Sequence, residues 1–264
     1  MGWMLSTVQR VGQVLELFGM DHPERSVSEV AALLGIPKST AHALLCTMCE
    51  IGLLRRTADR RYRLGWRILA LSSTLLATTQ YRVEARPIME DLVARFGETV
   101  HLATMESGRV LYVDKLQGTR AVQVSVTGVG LELPPHCSAV GKVLLAARPW
   151  PEVEALLSRT GLPALTPNTI TDLRQLRAEL EQVRARGYAL DIEEAVLELC
   201  CVAAPIRDHR GEVVAAMSLS VPAYRFHRQK DELRRAIVSA CREVSHRLGY
   251  TAFEETLRRR SVAP

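Results

Sequence analysis

Four side chains late in the chain carry the types and spacing for joint chemistry. Asp191 lies in Gly187-Tyr-Ala-Leu-Asp-Ile-Glu-Glu194, and Cys201, Ser218 and Ser220 lie in the apolar run that follows. Ser218 and Ser220 share one face of any strand, because side chains alternate with a period of two. Together with Asp191 and Cys201 they can floor a single polar pocket. Cys201, or Cys137 beside His136, also supplies the thiol and base that nucleophilic catalysis uses. Taken one at a time, each reads more simply as a surface acid, a buried thiol or a satisfied core hydroxyl.

An earlier segment offers anion chemistry. In Leu133-Pro-Pro-His-Cys-Ser-Ala-Val-Gly-Lys-Val-Leu-Leu-Ala146, a rigid Pro-Pro pair delivers His136, Cys137 and Ser138 to the start of a helix. Free backbone N–H groups and the helix dipole favour negative charge there. The small residues Ser138, Ala139 and Gly141 leave room for a ligand against the backbone. An ordinary capped helix accounts for the segment equally well. His136, Cys137 and Cys201 could also ligate a soft metal, although no paired metal motif, G-x-S-x-G elbow or phosphate loop is present. Gly128-Val-Gly130 lacks the third glycine of a dinucleotide loop.

The densest chemistry is guanidinium. From Leu53 to Arg67 the basic residues are Arg55, Arg56, Arg60, Arg61, Arg63 and Arg67, against the single acid Asp59. Leu53-Leu-Arg-Arg56 and Arg61-Tyr-Arg-Leu64 flank Thr57-Ala-Asp-Arg60, a hairpin suited to phosphate contact. Two short helices precede it. Ser26 and Glu29 form a capping box at the start of the first, which continues through Val30, Ala31 and Leu34. Gly35 and Pro37 mark the turn, and Ala41, Leu44, Leu45 and Met48 repeat at the spacing of one buried helical face. Lys38, Ser39, Thr40 and His42 are left to enter a major groove. The whole is a winged helix-turn-helix.

The remaining elements must position these groups. Val8, Val11, Leu15 and Phe18 predict a first helix. Trp66 to Thr79 reads as an apolar helix leading out of the wing. Ala85, Ile88, Met89, Leu92, Val93 and Phe96 predict a helix in which Pro87 marks the start or a kink. Strands are predicted at Thr99 to Met105, Arg109 to Leu116, Ala121 to Thr127, Cys200 to Arg207 and Glu212 to Val221. Helices are predicted at Ser138 to Ala147, Thr171 to Arg186 and Lys230 to Leu248. Strands segregated from helices in this way indicate an α+β domain built on an antiparallel sheet.

Bulk properties bound the function. The 264 residues suffice for about two domains, with 47% hydrophobic and 24% charged residues and a net charge of +5. Residues 1–80 hold nine Lys/Arg and six Asp/Glu, so positive charge is denser in the first third. The six cysteines are scattered in a chain large enough to build its own core, against a disulfide framework. Cys46 and Cys49 lack a second pair at zinc spacing and read as core. No apolar run is long enough for a membrane span, and a cytoplasmic protein without cofactor is expected.

Read together, IPKSTAHALL, PPHCSAVGKVLLA and DIEEAVLELCCVAAPIRDHRGEVVAAMSLS resemble the IclR family of bacterial transcriptional regulators, over about Val8 to Leu248. The resemblance implies a winged helix-turn-helix domain at 1–65, a helical linker at 66–82, and a GAF-like effector-binding domain at 83–255, with a basic tail at 256–264. It implies double-stranded operator DNA as partner, held by Lys38, Ser39, Thr40, His42, Arg55, Arg56, Arg60, Arg61 and Arg63. It implies a small organic acid or aromatic effector at Ala139, Val140, Asp191, Cys201, Ser218 and Ser220, and a homodimer or dimer of dimers. A thiol-dependent hydrolase or a metal sensor with a fused DNA-binding head is the competing reading. Two departures stand out: Ala43 and Glu198 replace the family's usual Arg and Gly.

Overall fold

The computed structural model describes residues 5–120 and 128–251. The strand expected at 121–127 and the tail at 256–264 lie outside them. The chain divides into two compact units, 1–78 and 79–264.

The first unit begins with α1 (Ser6–Glu16), α2 (Val27–Leu34) and α3 (Lys38–Glu50). Ser26 caps α2: its hydroxyl accepts from Glu29 N, while the Glu29 carboxylate accepts from Ser26 N at 2.6 Å. Gly35 ends α2 at φ 62°, a left-handed conformation that glycine adopts without a Cβ penalty. The chain then bends by 114° into α3, within the usual range for a helix-turn-helix. Strands β1 (Leu54–Arg56) and β2 (Tyr62–Leu64) pair antiparallel, and Arg25 bridges to Tyr62 at the edge. Val14, Val30, Ala31, Ala41, Leu45, Met48, Leu54 and Tyr62 form the core. Of the predicted α1 stripe, Val11, Leu15 and Phe18 pack against this core beside the fully buried Val14, whereas Val8 is 66% exposed. Helix α4 (Trp66–Thr78) closes the unit without a single buried residue.

The second unit opens with α5 (Gln80–Phe96). Pro87, expected to mark either its start or a kink, lies inside it, eighth in a 17-residue helix. A six-stranded antiparallel sheet follows, built from β3 (Thr99–Glu106), β4 (Arg109–Leu116), β5 (Glu132–Leu133), β6 (Ala189–Ile192), β7 (Leu199–Arg207) and β8 (Val213–Pro222) in the order β5-β4-β3-β8-β7-β6. Strand alternation gives the sheet two apolar faces. Val100, Leu102, Val202, Ala204, Met217 and Leu219 pack with α5 and α9 (Ala223–Arg247). The residues between them turn to the opposite layer of α6 (Ala139–Ala146), α7 (Trp150–Thr160) and α8 (Leu173–Arg186). The sequence reading missed α7, β5 and β6. It began α9 seven residues late, because Arg225, His227 and Arg228 break the apolar pattern of its first turns. Among the described residues no single helix is long and apolar enough to cross a membrane.

Candidate ligand site and nucleic-acid interface

Register builds the candidate ligand site. Asp191 on β6 pairs with Cys201 on β7, which pairs with Ser220 on β8. The adjacent row runs from Ala203 to Ser218 and on to His101 on β3. Both rows face α6. Where Ala103, Ala189, Ala203 and Ala216 replace larger side chains on this face, the layer between sheet and helix is thin enough to leave space. The resulting pocket takes in about 390 Å³ of space, open solvent at its mouth included. Its lining includes all six residues expected from the sequence: Ala139, Val140, Asp191, Cys201, Ser218 and Ser220.

His101 and Tyr112 also line it and were missed. Each sits in a strand read only for its apolar residues. Their arrival at the site depends on pairings across more than a hundred residues, which periodicity does not encode. The sole available signal was that His101 is a polar residue at an inward position of β3. Their rings lie 5.2 Å apart.

The floor is a relay of polar atoms. Cys201 Sγ is 3.1 Å from Ser220 Oγ, which is 3.2 Å from His101 Nδ1. Burial, aided by the charge of Lys115, pushes the His101 pKa down to about 3, so the ring is neutral. Burial raises the thiol of Cys201 well above its ordinary range, and nearby Asp191 adds to the rise. Such a thiol is protonated and a poor nucleophile. Burial also raises Asp191 to about 7, against the backbone hydrogen bond from Glu194.

The helix start forms the opposite wall. Pro135–Cys137 makes one 3-10 turn, and Ser138 caps α6 by accepting from Gly141 N at 3.2 Å. Gly141 was expected to admit a ligand. Instead a Cβ there would lie 2.1 Å from the carbonyl oxygen of Pro135, so its smallness serves packing of the turn on the helix. His136 Nε2 bonds the Pro163 carbonyl at 3.1 Å, and Cys137 Sγ donates to Pro134 O. Neither lines the cavity with Cys201, which removes the geometry of a His136 base. Among the described residues no group of three or more His, Cys, Asp or Glu is placed to hold a metal.

A loop between β6 and β7 covers one side through Ala195 and Val196, with Leu199 at the start of β7 beside them. It is tied down at Glu194: N–H to Asp191 Oδ1 at 2.7 Å, carbonyl from Thr169 Oγ1 at 2.6 Å, carboxylate from the buried Lys142 Nζ at 2.6 Å. Glu193 and Glu198 hold φ of 58° and 62°, left-handed values uncommon for non-glycine residues. Glu198 therefore keeps the backbone that the family's usual glycine would adopt. Its N–H donates to Glu193 Oε2 at 2.8 Å.

In the first unit, Lys38, Ser39, His42 and Ala43 are exposed along α3, while Thr40 is half-buried. His42 stacks its ring nitrogens 3.6 and 3.8 Å from Cys46 Sγ one turn on. Arg56 and Arg60 are exposed on the hairpin, and the Arg55 guanidinium lies 4.8 Å from the centre of the Trp66 ring. Arg61 and Arg63, expected to contact DNA, each pair with an acid of the first unit. Arg61 Nη2 is 2.8 Å from Glu29 Oε2 and Arg63 Nη1 is 3.5 Å from Glu24 Oε1. Arg61 thereby ties the wing to the capping box of α2.

The chain matches two family profiles: the IclR helix-turn-helix domain over residues 7–58, and the bacterial transcriptional regulator IclR C-terminal domain over residues 73–246. It is 32% identical to the HTH-type transcriptional regulator XynR of Escherichia coli K12, covering 94% of this chain and 99% of that one. An IclR homolog of Microbacterium hydrocarbonoxydans, solved in complex with 4-hydroxybenzoate, is 32% identical with a TM-score of 0.81, over 92% of this chain and 98% of its own. The Thermotoga maritima IclR structure is 33% identical with a TM-score of 0.74, over 94% and 100% of the two chains.

Proposed function

The chain belongs to the IclR family of bacterial transcriptional regulators, and we propose that a small organic carboxylate, held in the cavity between sheet and α6, sets its affinity for operator DNA. The observation that carries this is the convergence of Asp191, Cys201, Ser218, Ser220 and His101 on one enclosed floor facing the capped start of α6. Hydroxyls and a helix start are ligands for a carboxylate, and apolar Leu133, Val140 and Val196 suit a carbon skeleton. The 4-hydroxybenzoate in the Microbacterium relative makes aromatic carboxylates the first probes.

DNA is read by Lys38, Ser39, Thr40 and His42, with Arg55, Arg56 and Arg60 on the backbone. The exposed Trp66, Leu69, Leu71 and Leu75 of α4 are covered by the same helix of a second copy, so the working unit is a homodimer acting in the bacterial cytoplasm. Ligand binding biases the pair of heads by a coupling of about 1–3 kcal/mol. The test is a mobility-shift titration of the full chain on its operator, with benzoate, 4-hydroxybenzoate and small keto acids as ligands. Ser218→Ala with Ser220→Ala should keep operator binding and lose the ligand response. A double variant that responds at wild-type ligand concentration would put the site elsewhere. The protonated state of Cys201 speaks against a hydrolase.

A further inference from the structure

The charges around the cavity do not balance. Lys142 Nζ lies 2.6 Å from Glu194 Oε1, and Arg186 Nη2 lies 2.7 Å from Glu179 Oε1. Two cations thus offset two carboxylates behind the site. Asp191 is a third carboxylate, 2% exposed; it accepts from the Glu194 N–H at 2.7 Å and lies beside the thiol of Cys201, and the Lys142 ammonium, salt-bridged to Glu194, acts on it only through its charge. No Lys or Arg lines the cavity among the described residues. An entering carboxylate therefore meets hydroxyls and a helix start, but also Asp191. Two ionised carboxylates in one low-dielectric enclosure repel strongly, and such pairs resolve by sharing a proton.

From this charge balance we propose that the cavity takes its carboxylate ligand together with one proton, carried by Asp191 and donated as a hydrogen bond to the ligand. The inference rests on reading the cavity as the effector site. Among the other titratable groups facing Asp191, burial also raises the Glu194 carboxyl, which is held by the Lys142 ammonium. On the strands, His101 is held neutral by burial, and the raised pKa values of Tyr112 and Cys201 keep their protons in place. In the 3-10 turn Cys137 is pushed up to about 12. On α6 and the covering loop, Lys142 and Glu194 are engaged with each other. Burial of Asp191 itself, with a pKa of about 7, makes its proton available over the physiological range. Binding then reads ligand and acidity jointly: one proton enters for each anion bound, and net charge in the cavity is unchanged.

The test uses the full chain and benzoate, which has one carboxylate and no other titrating group. Calorimetry in buffers of different ionisation heat counts the protons taken up. Uptake should rise from near zero at about pH 6 to near one at about pH 8, with affinity falling about tenfold per pH unit above neutrality. Asp191→Asn keeps a hydrogen-bond donor without a titrating proton, so it should bind benzoate with no uptake and a flat pH profile. Wild-type binding at pH 8 without proton uptake would overturn the proposal and leave the effector site standing. Undiminished uptake in Asp191→Asn would overturn it equally. A ligand-free arm separates the two readings. Folded Asp191 retains a proton that the unfolded chain releases, so the Tm advantage of Asp191→Asn should widen from pH 5 to pH 8. A flat difference overturns the proposal. A widening difference with no benzoate binding at any pH removes the carboxylate ligand, and the proposal with it.

Discussion

Arg56 and Arg61 lie in one hairpin and have unlike work. Arg56 is exposed, with its guanidinium 6.0 Å from the centre of the Tyr62 ring. Arg61 is held by Glu29 and by the Glu24 carbonyl. Composition alone made them equivalent. Arg56→Ala should weaken operator binding and reduce its salt slope by about 1, as expected for one lost phosphate contact. Arg61→Ala should leave the slope unchanged and cost stability. Both partners are more than a third exposed, so solvent screens the pair and the cost is small. Urea denaturation beside salt-dependent binding distinguishes them; a reduced salt slope in Arg61→Ala would return that residue to the interface. Arginine count reports a DNA-binding surface, but only contacts across 32 residues show which arginines are committed to the fold.

At the scale of elements, the loop between β6 and β7 depends on α6 through one buried lysine. Lys142 is 1% exposed and its ammonium is within 2.6 Å of Glu194, the residue that anchors the loop to Asp191. Lys142→Met leaves the Glu194 carboxylate buried without its cation, which should cost about 3–5 kcal/mol in urea denaturation. Combining it with Glu194→Leu should recover most of that loss; a double variant as unstable as the single would mean that the pair carries no coupling. The local elements were legible in sequence. The capping box, Gly35 and the period of α3 act within a few residues, and strand alternation in β7 and β8 puts Cys201, Ser218 and Ser220 on one face. Long-range register was not legible. His101 reaches Ser220 because β3 lies beside β8, and the sequence of β3 does not name its neighbour. Lys142 read as an ordinary helix residue, since its partner lies 52 positions away.

At the scale of the molecule, the two units need a means of acting together, and α4 offers an exposed apolar surface. Trp66 is 69% exposed and Leu75 66%. Leu75→Glu should place a charge in the helix pairing proposed above, shifting sedimentation equilibrium toward monomer and weakening operator binding without loss of the hairpin fold. A variant that sediments as wild type would move the dimer contact off this helix. The left-handed residues Glu193 and Glu198 have a consequence beyond stability. They bracket a six-residue segment that supplies one wall of the cavity, while the floor belongs to the sheet. Glu193 closes that segment on itself through its carboxylate and Glu198 N. Such a segment is an exchangeable cassette. Substitutions within it can reshape that wall while leaving the hydrogen-bonded sheet untouched.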